Sequence, residues 1–364
     1  MVKEMSSKIK LIVKRFLLYS RLRYRYYSST KAFKKRYKNV DSSLFNKSLS
    51  EKVLNEYREK WGVFGLKVEV NTFLISYNLS GKIDYNIVPE NIFAAIIEPS
   101  LNKYKDKELS FLSVKNVYEK YFCNKEVFPK CYFHKIEGVY YDSNFNIIMD
   151  VESFLDQCEF SFPIISKPSI GTLGGVGVEV LNSLAEIKKS LNTYPSLVFQ
   201  EKIQQSKVID RVNPNMNSIR SCLYRCENGE FKILNNSIRF GVDGSLDNLK
   251  DGGVACYIND NGWLNEYAVT MYCEKYYSHP NSKVKFSDVS IPFYHDLIRV
   301  SESIANQIPL CNLVSLDMCL DNNNKWRCIE INLNGQTIRF AQYAGIGFFG
   351  EHTDEVIKKV LYNK

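Results

Sequence analysis

Two carboxylates and an amide near the C-terminal end of the 364-residue chain stand where they can hold a divalent ion. Leu313–Leu320 (LVSLDMCL) alternates, with Val314, Leu316, Met318 and Leu320 on one face and Asp317 on the other. Trp326–Asn332 (WRCIEIN) alternates too, with Ile329 and Ile331 opposite Glu330 and Asn332. A turn at Asp321–Asn324 joins the two into a hairpin. If Leu320 faces Lys325, Asp317 comes opposite Cys328, on the face of Glu330 and Asn332. Cross-strand and i,i+2 neighbours then lie about 5–7 Å apart. So few protein ligands suit magnesium carried on phosphates. Taken alone, the same pattern is a half-buried hairpin with a wet polar face.

The second feature is Ile165-Ser-Lys167-Pro-Ser-Ile-Gly171-Thr-Leu-Gly174-Gly175-Val-Gly177-Val. Glycines at 171, 174, 175 and 177 free the backbone for positive φ and for close approach of a ligand. Such a loop can turn several N–H groups toward phosphate oxygens, and Lys167 adds a point charge just upstream. A P-loop needs Lys-Ser/Thr after its last glycine, where Val178 and Glu179 stand. A dinucleotide fingerprint opens a helix, whereas VGVEVL reads as a strand. A protein kinase needs HRD and DFG segments, and neither occurs.

In sequence, residues 111–340 resemble the ATP-grasp superfamily, in particular its sugar-transfer-associated branch found with surface-polysaccharide genes. The matching stretches are Phe162-Pro-Ile-Ile-Ser-Lys167-Pro with its glycine loop, Val198-Phe-Gln-Glu201-Lys-Ile203, Asn213-Pro-Asn-Met-Asn217-Ser-Ile-Arg220, Arg239-Phe-Gly, and Asp317 with Glu330-Ile-Asn332. The resemblance implies an α+β ATP-grasp fold, two lobes with an ATP cleft between them. It implies ATP and Mg2+ as cofactors. Lys167, and Lys115 as a second contact, would meet the phosphates. Glu201 with the backbone around Lys202 and Ile203 would hold adenine, and Asp210 would reach the ribose. Arg220 and Arg239 would stabilise the γ-phosphate and an acyl-phosphate, and Asp317, Glu330 and Asn332 would carry magnesium. Two departures stand out. Lys115 follows Val114 where an Asp is usual, and Leu333-Asn334-Gly335-Gln336-Thr337 lacks the Pro-Gly of peptide-ligase members.

The elements that must position these groups are readable in part. Leu66–Tyr77 is β-rich, and Asn91–Pro99 reads as a buried element. Ser113 is placed to cap a helix, VKNVYEKYF. Cys131–Ile136 and Gly138–Tyr141 read as strands, Val151–Cys158 as a helix, and Pro163–Lys167 as the strand entering the loop. Val176–Leu181 (strand), Ser183–Asn192 (helix) and Leu197–Lys202 (strand) follow. The expected organisation is a basic segment over 1–40, a supporting domain over 41–110, a first lobe over 111–204 and a second over 205–364.

Composition excludes several classes. An apolar fraction of 45% and a charged fraction of 24% are those of a globular chain. The net charge of +8 is localised: residues 1–38 hold thirteen Lys/Arg and one acidic residue, leaving 35 basic and 39 acidic residues for the body. A nucleic-acid-binding domain would carry its basic face on the body. Ten scattered cysteines without a CxxC pair read as reduced core residues of a cytoplasmic chain. None of the four histidines is paired at ligand spacing, so no His-based zinc site is expected.

The basic segment KIKLIVKRFLLYSRLRYRYY reads as a helix with Ile9, Ile12, Val13 and Phe16 on one face. It suits peripheral contact with an anionic membrane face, and equally packing on the body with its charges outward. The partners expected of the whole are small-molecule carboxylate and amine substrates, one of them a sugar precursor, and no nucleic acid. The reaction expected is ATP-dependent carboxylate–amine ligation. The rivals are a phosphotransferase on the same scaffold and a non-catalytic, membrane-associated partner of a polysaccharide assembly complex.

Overall fold

In the computed structural model, residues 2–46, 49–170, 175–244, 249 and 252–362 are described, without the side chains of 2–12, 14–16 and 18. Gly171 and Gly174 lie outside the described residues.

Among the described residues, twelve strands form two antiparallel sheets. The first holds β1 (Cys131–Ile136), β2 (Val139–Asp142), β3 (Ile164–Pro168), β4 (Glu179–Leu181) and β5 (Leu197–Glu201), in the order β2-β1-β5-β3-β4. The second holds β6 (Ile219–Arg225), β7 (Phe231–Phe240), β8 (Val254–Ile258), β9 (Leu264–Val269), β10 (Lys275–Tyr276), β11 (Leu313–Leu320) and β12 (Trp326–Asn332), in the order β10-β9-β8-β7-β6-β11-β12. Each sheet packs one face under helices. Phe133, Ile164, Leu197 and Phe199 pack under the helices Val151–Gln157 and Leu184–Ser190. Leu223, Ile238, Leu316 and Met318 pack under the helix Tyr294–Asn306. Both helices of the first sheet start on side-chain caps, Asp150 accepting from Ser153 N and Ser183 from Glu186 N.

The strands of both functional segments fall close to where alternation puts them. The strand expected over Val176–Leu181 shortens to Glu179–Leu181, and two further expectations fail outright. Leu66–Tyr77 is not β: Asn71–Ser80 is a helix, α3 after α1 (Val2–Tyr37) and α2 (Glu51–Gly62). Its residues Thr72 to Ser76 are all buried, so no polar face betrays the period, and a short apolar run reads the same in either conformation. Ser113 does not cap a helix; its hydroxyl donates to Ser110 O, and short 3-10 turns over Ser110–Ser113 and Lys115–Val117 precede a single α-turn, Tyr118–Tyr121.

Residues 49–101 share a core with the back of the second sheet and with the C-terminal segment: Leu54, Trp61 and Phe93 meet Tyr224, Leu313, Phe348 and Val356. Buried polar side chains hold this junction in register. Asn102 Nδ2 donates to Leu313 O (2.5 Å) and Leu333 O (2.7 Å), while its Oδ1 accepts from Leu313 N (3.0 Å). Gln342 bonds both backbone groups of Val88, and Glu98 Oε1 accepts from Gln336 N. The hairpin that carries Asp317 is thereby anchored at both ends.

Helix α1 lays one stripe on the body. Leu22 and Tyr26 join the core of α2 and α3, Tyr26 Oη donates to Lys67 O, and Arg36 pairs with the buried Glu90. Leu17, Tyr19, Tyr24 and Tyr27 point outward. Of the face expected from the sequence, Val13 is exposed; the side chains of Ile9, Ile12 and Phe16 lie outside those described. Among the described residues, no helix is long and apolar enough to cross a membrane.

Candidate active site

The hairpin β11–β12 places Asp317 directly opposite Glu330 and Ser315 opposite Asn332. This corrects the expected register. Leu320 pairs with Trp326 instead of Lys325, which would bring Asp317 opposite Ile329. A β-bulge between Asp317 and Met318 absorbs Ile329 as an unpaired residue and returns Glu330 to the face of Asp317. Trp326, Cys328 and Ile331 turn into the core, Ile329 drops out of it, and Arg327 joins Glu330 and Asn332 on the polar face. Asp317, Glu330 and Asn332 do share a face, and the bulge is the reason.

Asp317 is buried, and both its oxygens pair with arginine, which leaves a lone pair on Oδ1. Arg220, its cross-strand partner on β6, donates from Nε to Oδ1 at 2.6 Å and from Nη2 to Oδ2 at 3.1 Å. Arg239 on β7 brings Nη2 to within 3.2 Å of Oδ2. Burial by itself would raise the Asp317 carboxyl, but the two guanidiniums outweigh it and hold the group below its ordinary value. Residues read separately, two for a phosphate and one for a metal, therefore form one ion-pair cluster.

Lys167 enters from β3 of the other sheet and is buried. Desolvation, followed by the neighbouring Lys115, pulls its ammonium down to about 8, against the opposing pull of Glu330. Lys115 Nζ lies 3.5 Å from Glu330 Oε1, and its backbone N–H donates to Ser169 O at the entry to the glycine loop. Gly175 and Gly177 both have positive φ (79° and 76°), as that loop requires. Ser169 Oγ and Asn332 Nδ2 are buried and have no hydrogen-bond partner among the described residues. Polar atoms buried in that way cost about 1–3 kcal/mol each unless a ligand satisfies them. Turning the Asn332 amide over presents Oδ1 at the same point, so the donor set suits a hard cation.

Glu201, Lys202 and Ile203 line a cleft of about 260 Å³ together with Phe162, Gln204 and Asn322. The volume lies below the ~300–1,000 Å³ of a complete small-molecule site, so it suits one part of a ligand. Glu201 accepts from Lys130 N and pairs with Arg327, which also bonds Asp321 at 3.3 Å and so ties the first lobe to the hairpin turn. Sequence parity hid Arg327, because without the bulge it would sit on the core face. Asp210 is half-buried and accepts from Gln205 Nε2 at 2.7 Å, inside a network that also binds Asn217.

Residues 176–355 match the family of sugar-transfer associated ATP-grasp proteins. The match bears out the resemblance to that family read from the sequence. The matched ATP-grasp segment holds Glu201, Asp210, Arg220, Arg239, Asp317, Glu330 and Asn332; Lys115 and Lys167 precede it. Similar solved structures include the biotin carboxylase domain of Hydrogenobacter thermophilus 2-oxoglutarate carboxylase (13% identity, 71% of this chain and 46% of that one, TM-score 0.40). They also include N5-carboxyaminoimidazole synthetase from Staphylococcus aureus with ADP (11%, 67% and 55%, TM-score 0.40) and the L-amino acid ligase of Bacillus licheniformis (12%, 73% and 55%, TM-score 0.42). The chain spans about half the length of the structures it matches. No curated protein matches the chain.

Proposed function

We propose that this chain is an ATP-dependent ligase that activates a carboxylate as its acyl-phosphate and passes the acyl group to an amine. The observation that carries the reading is the convergence of charged groups at the site. Arg220 and Arg239 meet on Asp317, Lys115 meets Glu330, and Lys167 comes beside Lys115 and Glu330 from the other sheet. Cations from both sheets gathered beside two carboxylates suit a polyanion carried on a metal ion.

Lys167 and Lys115 grip the phosphates, with the N–H groups of the loop that includes Gly171, Gly174, Gly175 and Gly177. The Glu201–Ile203 cleft takes the base, and Asp210 the ribose. Asp317, Glu330 and Asn332 would hold magnesium, which would neutralise phosphate charge. The substrate carboxylate attacks the γ-phosphorus, the bond to the β-phosphate oxygen breaks, and ADP leaves. Arg220 and Arg239 face the charge that develops. The amine then attacks the acyl carbon, phosphate departs, and the amine proton passes to solvent. The joined pieces are an amino acid and a sugar or sugar-linked precursor of a surface polysaccharide, a reading that the match to the sugar-transfer associated family supports.

The test is ADP release measured with paired carboxylates and amines. Turnover should need both partners and fall at least a hundredfold in Lys167→Ala and in Asp317→Ala. Wild-type turnover in both variants would sink the assignment, and ADP formation without any need for an amine would point to phosphotransfer.

A further inference from the structure

Strand β6 carries Arg220 near its start and delivers Cys226 just past its end, about 20 Å further along. There the C-terminal turn Gly350–His352 and the helix Thr353–Tyr362 fold over it. Cys226 Sγ lies 3.9 Å from both ring nitrogens of His352, and His352 Nδ1 lies 3.6 Å from Glu355 Oε2. One donor atom from each of the three residues lies within 4.8 Å of the others, and all three side chains are half-buried. None of them belongs to the site described above.

We propose that Cys226, His352 and Glu355 form a second metal site, for a divalent transition-metal ion of which zinc best suits the donors, with water completing the coordination.

Distances come first. Tetrahedral zinc with bonds of about 2.3 Å to sulfur and about 2.0 Å to nitrogen and oxygen sets S···N near ~3.6 Å and N···O near ~3.3 Å. The observed 3.9 and 3.6 Å need a contraction of about 0.3 Å each, within reach of side-chain rotation. Orientation comes second. Tyr224 Oη donates to Glu355 Oε1 at 2.9 Å, which leaves Oε2, the oxygen nearest His352, as the ligand atom. Glu351 Oε1 lies 3.9 Å from His352 Nε2, so a carboxylate faces the far side of the ring when Nδ1 binds metal. Thiolate, imidazole and carboxylate together select against magnesium, which takes oxygen.

The surrounding charges are compatible. Burial, then Glu355, pushes the Cys226 thiol up, and a bound cation would oppose both effects. Lys359 is the nearest cation of the helix. Its Nζ donates to Arg225 O at 2.8 Å and sits over the Tyr224 ring, and burial lowers its pKa. A metal here would clamp the C-terminal helix to the strand that holds Arg220.

Chelator-treated full-length protein, free of nucleotide, is titrated with cobalt(II) as the spectroscopic stand-in. The expected result is about one equivalent bound, with tetrahedral d–d absorption and a thiolate-to-cobalt charge-transfer band that zinc abolishes. Cys226→Ser should lose the charge-transfer band. His352→Ala and Glu355→Gln should each weaken binding tenfold or more, and Tyr224→Phe should weaken it about tenfold with the band retained. Zinc should also protect Cys226 from alkylation in the wild-type chain, which keeps the test independent of how the variants fold. A spectrum without the thiolate band, or a band that survives Cys226→Ser, overturns the proposal.

Discussion

Asp317 and Arg220 are cross-strand partners on β11 and β6, and their side chains meet at two points, 2.6 and 3.1 Å apart. Planar guanidinium on carboxylate gives fixed geometry as well as charge pairing. Arg239 completes the cluster from the next strand. Asp317→Ala strands two half-buried guanidiniums without their anion, which costs about 3–5 kcal/mol. Urea unfolding should show that loss, whereas Asp317→Asn should lose less stability and still lose turnover. Equal stability of wild type and Asp317→Ala would contradict the cluster.

Lys167 makes binding depend on pH. Its folded value of about 8 lies below the ordinary 10.5. Between these values the unfolded chain binds more protons than the folded one, so the stability of the ligand-free protein rises as pH climbs from about 8 to 10.5. Below about 8 the protein bears the full cost of a buried charge. Lys167→Met removes that cost, so it should stabilise the ligand-free protein at pH 7 by roughly 2 kcal/mol while abolishing ATP binding. Wild-type affinity for ATP should fall as pH rises through 8, as the ammonium deprotonates. Calorimetric titration across pH 7–9.5 checks the affinity, and thermal melts of the variant check the stability; an ATP affinity that is flat across that range would exclude Lys167 as a phosphate contact.

Gly177 cannot be replaced cheaply. It holds φ +76°, and a Cβ there would come 2.7 Å from Tyr194 Oη and 2.8 Å from Pro168 Cγ, next to Lys167. Gly177→Ala should destabilise by about 1–3 kcal/mol and raise the KM for ATP by displacing Pro168 and the loop. Thermal melting and ATP kinetics read the two effects separately. Gly229, also at positive φ but with open space around it, is the control: strain without displacement, so stability falls and the KM for ATP stays.

The outward face of α1 carries Arg21, Arg23 and Arg25 beside exposed Tyr19, Tyr24 and Tyr27. If that face meets an anionic lipid surface, charge reversal of all three arginines should abolish co-sedimentation with phosphatidylserine vesicles. The reversal should leave the melting temperature within a degree or two, since these side chains are exposed. Binding that survives the reversal would assign the face to packing or solvent.

Much of the candidate site was legible because its signals are local. Both strands of the Asp317 hairpin end at the residues that alternation and the turn at Asp321–Asn324 mark. Lys167 sits on a strand that runs into glycines, and two of those glycines take positive φ. Period-two patterning and glycine content are properties of neighbouring residues, so the linear order carries them. The helix Asn71–Ser80 was not legible for the same physical reason: burial all round erases the period.

The remainder belongs to the tertiary structure. The bulge at Ile329 sets which residues of β12 face Asp317, and it depends on pairing with β11, not on β12's own sequence. Asp317 and Arg220 are 97 residues apart, and Cys226 and His352 are 126 apart. Such pairs exist only once the sheet has fixed strand order and the C-terminal helix has docked. The sequence by itself determined the groups available for phosphate, metal and base, because residue type and near-neighbour spacing decide those. Only the fold decided that Asp317, proposed to hold metal, is held by Arg220 and Arg239, proposed to meet phosphate, because burial in a shared sheet forces opposite charges together.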